Sequence, residues 1–244
     1  MTAPTPPARV LLTDVDVDVV AARLGELREM LAAAAKASGR DRGPDVLVAS
    51  KYFDPVAIPA LVRAGATLLG ENRAGALEPK QAAVPSDVAV QWDYIGELQS
   101  RKAAGIAAQV DRIHTLASVS AARKLTAAAD TGSVIPELLI QVNVAGEVAK
   151  GGVAPHDLDA LLEAASGLPV RGLMTMPPLA TEPAESRRWF AALRELAGAR
   201  GLDQLSMGTS QDAVAAAAEG ATVVRIGGLL TSDTAWQGLV REQG

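Results

Sequence analysis

The residues best suited to act together chemically are a lysine, a hydroxyl-rich turn, an arginine and a glycine pair. Lys51 follows the apolar run Val46-Leu47-Val48-Ala49-Ser50. Its amine, once desolvated, can lose a proton and attack an aldehyde. Far along the chain, Ser206-Met207-Gly208-Thr209-Ser210 offers hydroxyls and free backbone N–H groups ahead of a helical pattern. Val223-Val224-Arg225-Ile226 then runs into Gly227-Gly228, where a ligand can approach the backbone closely. Two such turns together make a phosphate cradle. An amine nucleophile facing that cradle suits a phosphate cofactor that carries an aldehyde. Each part also has a plainer reading: a solvated lysine at a strand end, a helix N-cap, a glycine turn.

Arg225 lies inside an otherwise apolar run and needs a partner there. One reading is an ion pair with a carboxylate. The other is a donor to a ring nitrogen. A guanidinium has donors only and keeps its proton, so it would hold a pyridine nitrogen unprotonated and weaken that ring as an electron sink. Asn72 either hydrogen-bonds a cofactor or caps a helix. Glu71 could pair with Lys102 or Arg225. His114, in an apolar run, reads as a hydrogen-bonded structural residue, and His156 as solvent-facing. Met174 and Met176 read as packing.

These residues need elements to hold them. Strands are expected over 46–50, 67–70, 92–95, 112–116, 137–143, 170–174, 204–206 and 222–226. Helical patterns fall between them, over 55–64, 73–82, 99–109, 119–129, 155–166, 182–199 and 210–219. Alternation of this kind makes a parallel sheet. Eight units in 244 residues favour a closed (β/α)8 TIM barrel over an open doubly wound sheet. The open sheet would favour a Gly-x-Gly-x-x-Gly turn after the first strand, where Lys51-Tyr52-Phe53-Asp54-Pro55 stands instead. An extra helix over 15–38 precedes the barrel, with acidic residues at its start and Gly39 at its end. The expected organisation is a flexible tail over 1–14 and one barrel domain over 15–244. Residues 198–201 and the tail after Thr231 are the expected flexible parts. Active sites of such barrels lie at the C-terminal strand ends, with phosphate commonly after strands seven and eight. Lys51, Asn72, Ser210, Gly227 and Gly228 all fall at such ends. Strand alternation carried past the strand end sets Lys51 on the face of Ala49 and Leu47, with Tyr52 pointing away.

Composition excludes several classes. The formal charge is −5, with no dense Lys/Arg block to serve a nucleic acid. Without cysteine there is no disulfide, thiolate catalysis or zinc–thiolate site, and two histidines do not make a His-rich metal site. The Pro-rich start lacks the features of a secretory signal, and no apolar run approaches a membrane span. A cytoplasmic protein is expected.

Seven short motifs, in order, resemble those of the pyridoxal phosphate homeostasis proteins. They are Val48-Ala49-Ser50-Lys51, Leu69-Gly70-Glu71-Asn72, Tyr94 to Lys102, Ile140-Gln141-Val142-Asn143, Gly172 to Pro177, Leu205-Ser206-Met207-Gly208 with Ser210, and Val224-Arg225-Ile226-Gly227. The resemblance implies a barrel of the alanine racemase N-terminal type that binds pyridoxal 5′-phosphate. It implies that Lys51 forms the internal aldimine, that Ser210 and the Gly227-Gly228 turn hold the phosphate, and that Arg225 meets the pyridine nitrogen. Asn72 and Ser206 belong to the same expected site. The chain departs from the family's usual pattern at Asp93, often His; at Glu97, often Pro; and at Gly228, usually Thr or Ser. Gly228 removes a hydroxyl from the phosphate site but leaves its N–H. Thr231-Ser232 stands where an aromatic-glycine pair is common. The implied function is a non-catalytic carrier in pyridoxal phosphate homeostasis, with cofactor-dependent apoenzymes as recipients. The alternative is an amino-acid racemase, which needs a base on each face of the cofactor. Racemase relatives carry the second base, a tyrosine, on a further β domain. Neither Tyr52 nor Tyr94, the two tyrosines here, is expected to oppose Lys51.

Overall fold

Short runs of Val, Leu and Ile, bounded by Gly, Pro or polar residues, form the strands. The computed structural model describes residues 11–147, 150–178 and 183–243. Its parallel strands are β1 (Asp45–Ala49), β2 (Leu68–Glu71), β3 (Gln91–Tyr94), β4 (Arg112–Leu116), β5 (Glu137–Gln141), β6 (Val170–Met174), β7 (Gln204–Thr209) and β8 (Val223–Ile226). They pair in sequence order and close into a barrel. Closure sets Val46, Leu47 and Val48 of β1 opposite Val224, Arg225 and Ile226 of β8. The (β/α)8 expectation is therefore met. β7 runs three residues beyond the expected end at 206, whereas β5 stops at Gln141 and Val142 makes only an isolated bridge to Val153.

The crossover helices are α2 (Ile58–Arg63), α3 (Leu77–Ala82), α4 (Ala103–Ala107), α5 (Val119–Asp130), α6 (Leu158–Ala164), α7 (Arg187–Gly198) and α8 (Ala213–Ala218). The helix expected over 182–199 begins at Arg187 behind a 3-10 turn, and residue 182 lies outside the described residues. Outward-facing strand residues such as Val48, Leu69, Ile113, Ile140, Leu173 and Val224 pack with helix residues such as Leu61, Phe190 and Leu193 in one apolar layer. Each such side chain contributes about 1.5–3 kcal/mol when fully buried.

The extra helix α1 (Val17–Ala35) starts at Asp16, whose carboxylate accepts from Val19 N at 3.1 Å. The acidic alternation before it is thus a cap and first turn rather than a strand. α1 buries Leu24, Leu27 and Leu31 and packs on the alanines of α8.

Two segments expected to be flexible make contacts with the rest of the chain. Residues 1–10 of the expected tail lie outside the described residues, but Leu12 is tied down. Its N–H donates to Tyr52 O and its carbonyl accepts from Asp54 N, each at 2.9 Å. The tail after Thr231 is a helix, α9 (Asp233–Gln243), with Trp236 and Leu239 buried. Arg23 of α1 holds it by donating to Leu230 O at 3.0 Å and pairing with Asp233. Its guanidinium also lies 5.6 Å from the Trp236 ring centroid. The few apolar residues of this helix gave too weak a periodicity to be read alone.

Candidate functional site

β1 ends at Ala49, and the chain tightens into a 3-10 turn over Ser50–Tyr52. That turn is fixed from several sides. Ser50 O accepts from Phe53 N at 2.9 Å and from Lys80 Nζ at 2.7 Å. Ser50 Oγ lies 3.1 Å from Gly70 O and 2.9 Å from Glu71 Oε2. Glu71 is fully buried and pairs with Lys80, itself buried on α3. The pairing expected with Lys102 or Arg225 is replaced by this one, because Glu71 faces outward from the barrel toward α3. Glu71 Oε1 accepts from the N–H groups of Asn72 at 2.7 Å and Arg73 at 3.0 Å. One buried carboxylate therefore fixes both turns at the mouths of β1 and β2.

Strand alternation stops where the strand stops, so Tyr52 does not point away from Lys51. Lys51 Nζ lies 5.1 Å from the Tyr52 ring centroid, and both residues are half-buried. The same ring packs on Gly227. A Cβ at 227 would lie 3.0 Å from Tyr52 Cδ2 and 3.2 Å from Cζ.

Gly227 N donates to Ser210 Oγ at 3.4 Å, so the turns after β7 and β8 meet. Thr209 is turned away from that junction, with its N–H and hydroxyl both on Asp212 Oδ1 at 2.7 and 3.1 Å. At Gly228 a Cβ would meet nothing within 4 Å. Lys51, Ser210, Gly227 and Gly228 thus come together through Tyr52. Among the described residues, Asn72 Oδ1 is buried and finds no partner. Such an orphan costs about 1–3 kcal/mol and is a group that a ligand's donor would satisfy. A cradle of amides and one hydroxyl, with an amine across the Tyr52 ring from it, fits a small phosphate ester with a carbonyl.

Ser206 is not part of the cradle. It lies within β7, fully buried. Its Oγ accepts from Arg225 Nη1 at 2.6 Å and lies 2.8 Å from His114 Nδ1. His114 Nε2 is 2.8 Å from Asp93 Oδ2, which also accepts from Arg112 Nε at 2.9 Å and Nη2 at 2.7 Å. β4 and β7 are not neighbours in the sheet, so this chain of bonds crosses the barrel interior. Arg225 Nη2 completes its set on Thr175 O at 2.9 Å. Among the described residues, the arginine's direct partners are a hydroxyl and a carbonyl, not a carboxylate. Burial lowers its pKa to about 10, against the pull of the Asp212 carboxylate.

Burial also lowers His114 from its usual value, against the opposing effect of Asp93. Burial would raise Asp93, but His114 and Arg112 together hold it below the usual carboxylate range. An ionised Asp93 only accepts, so neutral His114 carries its proton on Nε2 and accepts the Ser206 hydroxyl at Nδ1. The Ser206 oxygen is left to accept from Arg225. His114 is the hydrogen-bonded residue that its apolar setting suggested. Lys80 and the role of Tyr52 escaped sequence reading. Lys80 carries no local signal, because only the fold brings it to Glu71. Among the described residues, no group of three or more His, Asp or Glu side chains could hold a metal ion.

Residues 54–235 match the model of the alanine racemase N-terminal domain. The chain is 37% identical over 218 residues to the pyridoxal phosphate homeostasis protein of Aquifex aeolicus, across 85% of this chain and 95% of that protein. It is 38% identical over 217 residues to the protein so named from Pseudomonas aeruginosa, across 86% and 94%. Among solved structures it is similar to PipY of Synechococcus elongatus, determined without and with PLP bound. The TM-scores are 0.76 and 0.74 at 34% and 33% identity, covering 87% of this chain and 100% of PipY. Alanine racemase of Corynebacterium glutamicum shares the fold, with a TM-score of 0.65 at 14% identity over 88% of this chain and 60% of the racemase.

Proposed function

The chain belongs to the alanine racemase N-terminal domain family, among its pyridoxal phosphate homeostasis proteins, and from that premise we propose that it binds pyridoxal 5′-phosphate covalently through Lys51 and acts as a carrier. Bound there, the cofactor would supply an aldehyde to the amine and a phosphate to the cradle. Lys51 provides the anchoring nitrogen. Ser210 and the N–H groups of Gly227 and Gly228 hold the phosphate. Arg225 faces the pyridine nitrogen, and Ser206 holds Arg225 in place. Asn72 Oδ1 accepts from the ligand. The observation that carries this reading is the convergence of Lys51 and the Gly227 turn on one aromatic ring.

The tyrosines favour a carrier over a racemase. Tyr52 sits beside the Lys51 ammonium rather than across a ligand space from it. The Tyr94 hydroxyl lies 3.4 Å from the carbonyls of Asn72 and Glu97. A second base would have to stand on the opposite face. No described helix is long and apolar enough to cross a membrane. The carrier is proposed to work in the cytoplasm, with cofactor-dependent apoenzymes as recipients.

The test is a titration with pyridoxal phosphate, reduction with borohydride, and mapping of the adduct by peptide mass. The adduct is expected on Lys51 and absent from Lys51→Ala; a wild-type adduct located only on other lysines would overturn the assignment. Solvent deuterium entering the α-carbon of alanine would overturn the carrier role.

A further inference from the structure

We infer that Tyr52 is a positioning residue that mechanically couples the anchor lysine to the phosphate turn. The inference rests on the reading of Lys51 as the cofactor's anchor and deepens it. The backbone of the Ser50–Tyr52 turn has little freedom. Lys80 and Phe53 hold the Ser50 carbonyl, and Leu12 N donates to the Tyr52 carbonyl at 2.9 Å. With the backbone pinned on both sides of Lys51, side-chain contacts set where its amine sits. The Tyr52 ring meets both Lys51 and the turn after β8. One contact lies under the Lys51 ammonium, 5.1 Å from the ring centroid. Another is at Gly227, where a Cβ would clash with Tyr52 Cε2 and lie 3.0 Å from Cδ2 and 3.2 Å from Cζ. A cation over an aromatic face is attracted to it, and the attraction fixes where the amine sits.

Two consequences follow. Glycine at 227 is required by the Tyr52 ring. A change in the Gly227 turn moves the ring, and with it the lysine. Gly228, beside it, faces open space and lacks this constraint. The spacing between amine and phosphate cradle is therefore set by the ring's size and position.

The test is a double-mutant cycle with wild type, Gly227→Ala, Tyr52→Ala and the double variant. Three readouts are taken: the pyridoxal phosphate dissociation constant, the thermal midpoint without ligand, and the rate of Lys51 reductive methylation in the ligand-free protein. Gly227→Ala is expected to weaken binding at least tenfold, and Tyr52→Ala about threefold to tenfold. The double variant should bind no more weakly than Tyr52→Ala alone, because the clash has gone. A Gly227→Ala penalty of the same factor in both backgrounds would overturn the coupling. Should Gly227→Ala not fold, Tyr52→Phe and Tyr52→Ala decide. Phe keeps the ring and Ala removes it, so Ala should change the Lys51 labelling rate several-fold more than Phe; equal rates in all three proteins would overturn the inference. Wild type that fails to bind pyridoxal phosphate would sink the proposed function instead, while the labelling rates would still report the Tyr52 contact.

Discussion

Asn72 keeps a buried amide oxygen that meets no donor among the described residues, and a protein retains such a group only at a cost in stability. If the orphan exists for a ligand, removing it separates binding from folding. Asn72→Ala should weaken pyridoxal phosphate binding about threefold to tenfold, while leaving the ligand-free thermal midpoint unchanged or raised. A fall in midpoint with unchanged affinity would show a structural role alone. His114 allows a second prediction at this scale. Its pKa lies below the usual histidine value of 6.5 because it is buried, among Asp93, Ser206, Arg112 and Arg225. As pH falls, the unfolded chain takes up this proton first, so stability declines from about pH 6.5 downward. Asp93 has the opposite range. Its folded pKa lies below 3.8, so its contribution is present above that value and is lost only as pH falls through the folded pKa. Thermal midpoints measured from about pH 7 to about pH 5 should fall in wild type and flatten in His114→Gln. An unchanged slope would exclude His114 as the source.

Between elements, the Glu71–Lys80 pair joins β2 to α3 and fixes the turns that carry Lys51 and Asn72. Glu71→Ala strands a buried ammonium and should cost about 3–5 kcal/mol in denaturant unfolding. Replacing both partners, as in Glu71→Leu with Lys80→Met, should cost clearly less than the single change, because no charge remains buried and unpaired. The double variant should nevertheless bind the cofactor more weakly than wild type, since the N–H groups of Asn72 and Arg73 lose their common acceptor. Equal loss of stability in single and double variants would contradict this account. β7 teaches a related point. The hydroxyl-rich stretch from Ser206 to Ser210 reads as one turn, yet the strand reaches Thr209 and sends Ser206 into the barrel. Only Ser210 remains for the cradle.

Across the whole molecule, α9 returns the end of the chain to α1, through Arg23, Asp233 and Trp236. Trp236 is 9% exposed, and Trp236→Ala should cost about 3 kcal/mol, read as a lowered midpoint with the Lys51 adduct retained. Loss of the adduct in a protein that stays folded would show that α9 also shapes the site. The barrel itself was legible in the sequence, because eight apolar runs spaced by helical patterns leave few ways to cover both faces of a parallel sheet. So were Lys51, Asn72, Ser210, Arg225 and the glycine pair as residues at or near strand ends, since strand ends follow from local pattern. The partners of those residues were not legible. Glu71 finds Lys80, Arg225 finds Ser206, and Tyr52 turns to lie under Lys51 against Gly227. Local pattern fixes where the chain changes direction, and so it determined the fold and the candidate residues. Which side chains meet across the closed barrel, or over a turn where strand alternation has ended, depends on contacts between residues far apart in the chain, and only the tertiary structure decides those.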